Sequence, residues 1–223
     1  MESSTNSNKI EVYTRTERPF GKSWEEWAAQ WWQWCFEADL RGTNPCKDLT
    51  GADCDKNQKE LEVWYLAGTY GNKAERKCSV PSNKSIFFPI INDLISFAEY
   101  YQLKTEADLA EYAKSDLDTT SILSVTVDNV KIPNLEQFRV RTPLFNIDYP
   151  LEDYDNTRGI KSSKPTSAIS DGYWIFLRPL TYGKHFIHFK GEKMAFDEIY
   201  NKNDTLEQPK FSVEVIYEIT VNR

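Results

Sequence analysis

The chain is poor in the residues that carry most metal and acid–base chemistry. Its 223 residues include two histidines and two methionines, and its four cysteines form no C-x-x-C pair. A zinc site of the usual spacing is therefore not expected. The strings G-x-x-x-x-G-K-[ST], G-x-G-x-x-G and H-E-x-x-H do not occur, which removes the usual signs of a P-loop, a dinucleotide fold and a zinc protease. No G-x-S-x-G elbow offers a nucleophilic serine. The segment "DLTGADCDKNQKE" is acidic like a calcium loop but lacks the EF-hand spacing. No cofactor and no metal are expected. No run approaches the roughly 18–20 apolar residues of a membrane helix, and the opening "MESSTNSNKIEVYTRTERPF" has no apolar core of a secretory signal. These features point to a cytoplasmic protein, with export as the alternative if the cysteines are disulfide-bonded. The net charge of −7, with lysines interleaved among acids, argues against a nucleic-acid partner.

What the chain has is aromatic mass. Aromatics make up 14% of it and apolar residues 40%, enough for one sizeable core. Five of the seven tryptophans lie in "SWEEWAAQWWQWCF", residues 23–36. Ser23 followed by Glu26 is the capping-box signature of a helix start. Trp24, Trp27, Ala28, Trp31, Trp34, Cys35 and Ala38 then recur at spacings of three and four, a stripe about 120° wide. Trp32 sits on its flank beside Phe36. The polar face carries glutamates rather than the basic residues of a membrane-surface helix, so the stripe is expected to pack on the protein's own sheet. A helix is expected at about 23–40 and a second at about 105–118, where Thr105 caps "TEADLAEYAKSDLD" with Asp108 at its third position.

Elsewhere β-formers mark the strands, and beyond the second helix the period is two. "VWYLAG", "CSVPSNKSIFFPIIN", "SILSVTVDNVKI", "FRVRTPLFNIDY", "GYWIFLRPL", "GKHFIHFKG" and "FSVEVIYEITV" read as strands. Pro89 implies a sheet edge or a bulge, and Asp128-Asn129 a tight turn. The expected architecture is mainly β: an antiparallel β-sandwich, immunoglobulin-like or jelly-roll-like, with an N-terminal Trp-rich helix and a second inserted helix. Residues 1–22 are read as a loose arm in which "IEVYT" can lie along a sheet edge, and 23–223 as a single domain.

The ordered blocks "VWYLAGTYG", "CSVPSNKSIFFPIIN", "VTVDNV", "FRVRTPLF", "SDGYWIFLRPL" and "GKHFIHFKG" resemble a family of uncharacterised microbial proteins over about 24–221. The family has no established activity, so the resemblance implies no function. Four cysteines allow three complete pairings, and the residues alone leave them open. In the family pattern the positions of Cys54 and Cys78 are often both cysteine, so the resemblance implies that these two pair. That bond would close a loop of about 25 residues.

His185 and His188, three apart on a strand, point to opposite faces and cannot share a metal. Asn92, Asp171, Tyr173 and Arg178 lie inside the most distinctive blocks and are the candidate ligand-binding residues, with Trp32 as a fifth. For Arg178 a structural ion pair is the first expectation; for Trp64 and Trp174 it is core packing. No nucleophile–base pair is recognisable. A non-catalytic binding or structural protein is therefore expected, with a small-molecule, carbohydrate or protein partner. The alternatives are an enzyme with a pocket near those four residues and a carbohydrate-binding module whose tryptophans stack on sugar.

Overall fold

The structure is a computed structural model in which residues 10–148, 165–195 and 210–222 are described. It is mainly β, with ten strands and two α-helices among those residues. Helix α1, Trp24–Leu40, starts at the expected box: Ser23 accepts from the Glu26 amide, and the Glu26 carboxylate accepts from the Ser23 amide. Helix α2, Glu106–Leu117, is boxed in the same way by Thr105 and Asp108. Each box satisfies two amides that the first helical turn leaves unpaired.

The strands are β1 (Val63–Tyr65), β2 (Lys73–Pro81), β3 (Ser85–Ser96), β4 (Ile122–Val127), β5 (Val130–Lys131), β6 (Arg139–Arg141), β7 (Phe145–Asp148), β8 (Pro165–Leu177), β9 (Gly183–Met194) and β10 (Lys210–Asn222). They form two five-stranded sheets. The first runs β1-β3-β8-β6, with β7 also on β8; the second runs β2-β10-β9-β4-β5. Both sheets are mixed, which corrects the antiparallel expectation: β1 runs parallel to β3, and β2 runs parallel to β10 over nine residue pairs. The reason lies in connectivity. The turn at 82–84 carries the chain from β2 in one sheet to β3 in the other, so β2 takes a neighbour from the far end of the chain.

Helix α1 covers one face of the first sheet. Trp24, Trp27 and Trp31 are each 1% exposed and meet Phe87 of β3 and Trp174 and Phe176 of β8 edge-on, at centroid distances of 5.5–6.1 Å. A buried indole removes roughly 150–250 Å² from water, about 4–6 kcal/mol before entropy is counted. Their N–H groups are all used: Trp24 donates to the Thr14 carbonyl, Trp27 to that of Pro19 and Trp31 to that of Leu66. Two of these acceptors lie in the segment read as a loose arm. From Ile10 onward that segment lies along β8, where Val12 bridges to Leu177 and the Tyr13 amide donates to the Phe176 carbonyl.

The other face of the first sheet meets the second sheet, with Phe88 against Phe189 at 5.0 Å. Helix α2 lays Leu109 and Ala113 on Ile95 and Ile169. With both faces covered, Ser85–Ile91 of β3 is buried throughout, which is why "SIFFPII" does not alternate. The register slips between Pro89 and Ile91, the bulge that Pro89 signalled. Asp128 and Asn129 both take positive φ (50° and 64°) in the β4–β5 turn.

Cys54 and Cys78 pair as a disulfide, with Cα atoms 6.0 Å apart. Cys35 and Cys46 are unbonded and buried. No helix among the described residues is long and apolar enough to cross a membrane.

The two sheets close tightly at Gly191 of β9, where a Cβ would stand 2.5 Å from the Ile91 Cβ and 2.9 Å from the Ile90 carbonyl oxygen. Gly191→Ala is expected to destabilise the protein by about 1–3 kcal/mol in urea denaturation. An unchanged midpoint would mean that the sheets do not approach so closely.

Candidate functional site

Strand β1 pairs with β3 only along Ser85–Phe87. Beyond that, no described strand flanks β3 on that side, and a cavity of about 280 Å³ opens along Pro89–Leu94. Trp31 and Trp32 of α1 border it, with Asn92, Asp93, Glu99 and Lys193 as its principal polar walls. Asp93 turns back on the strand, its Oδ1 accepting from the Leu94 amide at 2.8 Å.

Asn92 stands just past the bulge and opposite Gly172. A Cβ at residue 172 would come within 2.5 Å of the Asn92 Cβ, so the glycine is what leaves room for this side chain. The Asn92 Nδ2 is buried and makes no hydrogen bond among the described residues. Trp32 is 8% exposed. Its ring stacks on Phe36 and its N–H donates to Ser170 Oγ at 2.7 Å.

Behind the cavity lies a buried charge network. The Lys193 ammonium contacts both carboxylate oxygens of Asp116 and lies 3.4 Å from Asp93. Asp116 is fully buried. Burial, and then the neighbouring Asp93 carboxylate, push it up to about 8 against the pull of Lys193. Asp171 sits opposite Asp93 and is held by Arg139 through two bonds, Nε–Oδ1 3.0 Å and Nη2–Oδ2 2.9 Å. Burial raises the Asp171 carboxyl although Arg139 opposes it.

The four strand residues singled out from sequence are not brought together. Asn92 lines the cavity. Asp171 pairs with the residue after Asn92, and alternation puts the two side chains on opposite faces of the sheet. Tyr173 shares the Asp171 face, with the Arg139 guanidinium 5.8 Å over its ring. Arg178 lies past the far end of β8, bonded to Glu17 at 2.5 Å and 4.1 Å over the Tyr13 ring. It shares a smaller cavity of about 110 Å³ with His185. The His185 ring is buried between two acceptors, Asp128 Oδ2 at 2.6 Å and the Thr181 carbonyl at 2.9 Å. Its Nε2 is thus engaged with a carbonyl rather than directed at a nucleophile.

Asp116 and Lys193 were not singled out, although a signal exists for both. Lys193 continues the inward series Ile187, Phe189, Gly191 of β9, and Asp116 falls on the buried stripe of α2 with Leu109 and Ala113. A charge where the period demands an apolar residue marks a buried pair. Among the described residues no group of three or more His, Cys, Asp and Glu side chains could hold a metal ion.

No protein-family model and no curated protein sequence matches the chain. Among solved structures it is similar to the crystal structure of the cysteine protease inhibitor EhICP2 from Entamoeba histolytica, with 10% sequence identity, 72% of this chain and 96% of that one covered, and a TM-score of 0.25. A TM-score that low supports neither a shared fold nor a shared function.

Lys193→Met would leave Asp116 and Asp93 facing each other without their cation, at a cost of about 3–5 kcal/mol in urea denaturation. Asp116→Asn tests the carboxyl by pH. The folded value of about 8 stands above the ordinary 3.8, so its contribution is complete below 3.8 and lost as pH rises through 8. Wild type should therefore lose stability relative to Asp116→Asn across that window. A wild-type stability that stays level with that of Asp116→Asn, or rises relative to it, as pH increases would contradict the assignment.

Proposed function

We propose that the protein is a non-catalytic binding protein that holds a small polar ligand in the cavity beside β3. The observation that carries this reading is the Asn92 amide, a buried donor without a partner among the described residues, set in a cavity wall beside the Trp32 indole. A buried amide without a partner is costly, and a ligand acceptor would remove that cost. The acid–base groups nearby are engaged with one another: Lys193 with Asp116 and Asp93, and Asp171 with Arg139. A general acid or base needs one of them free to meet substrate. The separation of Asn92, Asp171, Tyr173 and Arg178 also weighs against the enzyme reading.

Carbohydrate is the second reading, favoured by an amide and an indole at one cavity of roughly monosaccharide size. The fold we assign to this protein is a β-sandwich of immunoglobulin-like or jelly-roll-like type, supported by the Phe88–Phe189 and Gly191–Ile91 contacts between the sheets. The Cys54–Cys78 bond supports an exported protein, since such bonds persist in oxidising compartments.

Ligand-observed NMR against a panel of monosaccharides and small polar metabolites tests the reading. At least one compound should bind, and Asn92→Leu should weaken it by about tenfold or more without lowering the melting temperature. A panel with no binder, or a binder indifferent to Asn92→Leu, would sink the proposal.

A further inference from the structure

Two cysteines outside the established disulfide lie side by side. Cys35 projects from α1 and Cys46 from the loop after it, with sulfurs 3.7 Å apart and relative exposures of 1% and 7%. We propose that Cys35 and Cys46 are a second site of disulfide formation, stapling α1 to the loop that borders the cavity.

The sulfurs are already in contact. Bond formation needs them to close by roughly 1.7 Å, a movement within reach of side-chain rotation. The loop is prepared for it: the Cys46 amide donates to Asn44 Oδ1 at 2.9 Å, and Lys47 N donates to the Asn44 carbonyl. The Asn44 Nδ2 in turn donates to the Tyr70 hydroxyl at 3.1 Å, and Cys46 and Tyr70 both line the cavity. A bond at Cys46 therefore fixes the loop that positions Tyr70. This inference does not depend on the ligand reading.

The oxidant is a small-molecule disulfide of the glutathione class. One cysteine thiolate attacks it and expels one thiol, leaving a mixed disulfide. The second thiolate displaces the remaining half, so two electrons pass to the oxidant and the two protons end on the two released thiols. Timing follows from burial. The hydrogen bond with Cys46 and then desolvation hold the Cys35 thiol well above its ordinary value in the folded, reduced chain, so it is a poor nucleophile there. The bond forms while α1 is still docking, and once closed it is shielded from reductant. Cys54, only partly buried, leaves the other disulfide more open to attack.

The full chain is unfolded with reductant, refolded in reduced and oxidised glutathione, alkylated under denaturing conditions and mapped by peptide mass spectrometry. The expected map has no alkylated cysteine and two linkages, Cys35–Cys46 and Cys54–Cys78. Alkylated Cys35 and Cys46 beside an intact Cys54–Cys78 bond would overturn the proposal, as would linkage of either to Cys54 or Cys78. In a second measurement the folded, oxidised protein is treated with dithiothreitol and pulsed with iodoacetamide. Cys54 should label at least about tenfold sooner than Cys35 and Cys46, and the reverse order would contradict the shielding.

Discussion

Three indoles on one helix face, set against three aromatic rings on two neighbouring strands, are the interaction on which the rest of this structure depends. Trp24, Trp27 and Trp31 meet Phe87, Trp174 and Phe176, and each indole then needs an acceptor for its N–H. Those acceptors are backbone carbonyls at Thr14, Pro19 and Leu66. The helix thereby fastens the N-terminal segment on one side and the chain after β1 on the other. The apolar area supplies the energy, and the indole nitrogens supply the direction.

The cost of this arrangement is borne where polar groups are enclosed. Arg76 of β2 is 2% exposed and spends its guanidinium on the carbonyls of Asp48, Ala67 and Gly68 and on the Tyr217 hydroxyl. Lys193 does the same with two carboxylates. Both residues stand at inward positions of otherwise apolar strand faces, and each ties together segments far apart in sequence. The cavity lies where β1 stops after three residues and leaves the edge of β3 away from β8 without a described strand along Pro89–Leu94, where Asn92 and Asp93 are found.

Local chemistry was legible in the sequence. Both capping boxes, the helix stripe, the Asp128-Asn129 turn, the irregularity at Pro89 and the alternation of β9 and β10 could be read from spacing and residue type, because each is decided within a few residues. Strand β2 could not. Its inward series is Ala74, Arg76, Cys78, Val80, and the arginine breaks the alternation that would have announced it. The pairing of β2 with β10 was equally hidden, since partners such as Lys73 and Glu214 are 141 residues apart. Of the candidate site, Asn92 and Trp32 border one cavity, whereas Asp171 and Tyr173 lie on the opposite face of the sheet and Arg178 past the far end of β8, a separation that membership in distinctive sequence blocks does not reveal. Trp32, the indole read as flanking the stripe, is turned inward by its bond to Ser170.

Docking of α1 on the first sheet requires the tryptophans to be enclosed. All seven are at most 8% exposed, so iodide should quench the native fluorescence only weakly, with strong quenching appearing on denaturation. Native quenching comparable to that of free tryptophan would show that α1 is not docked on its sheet.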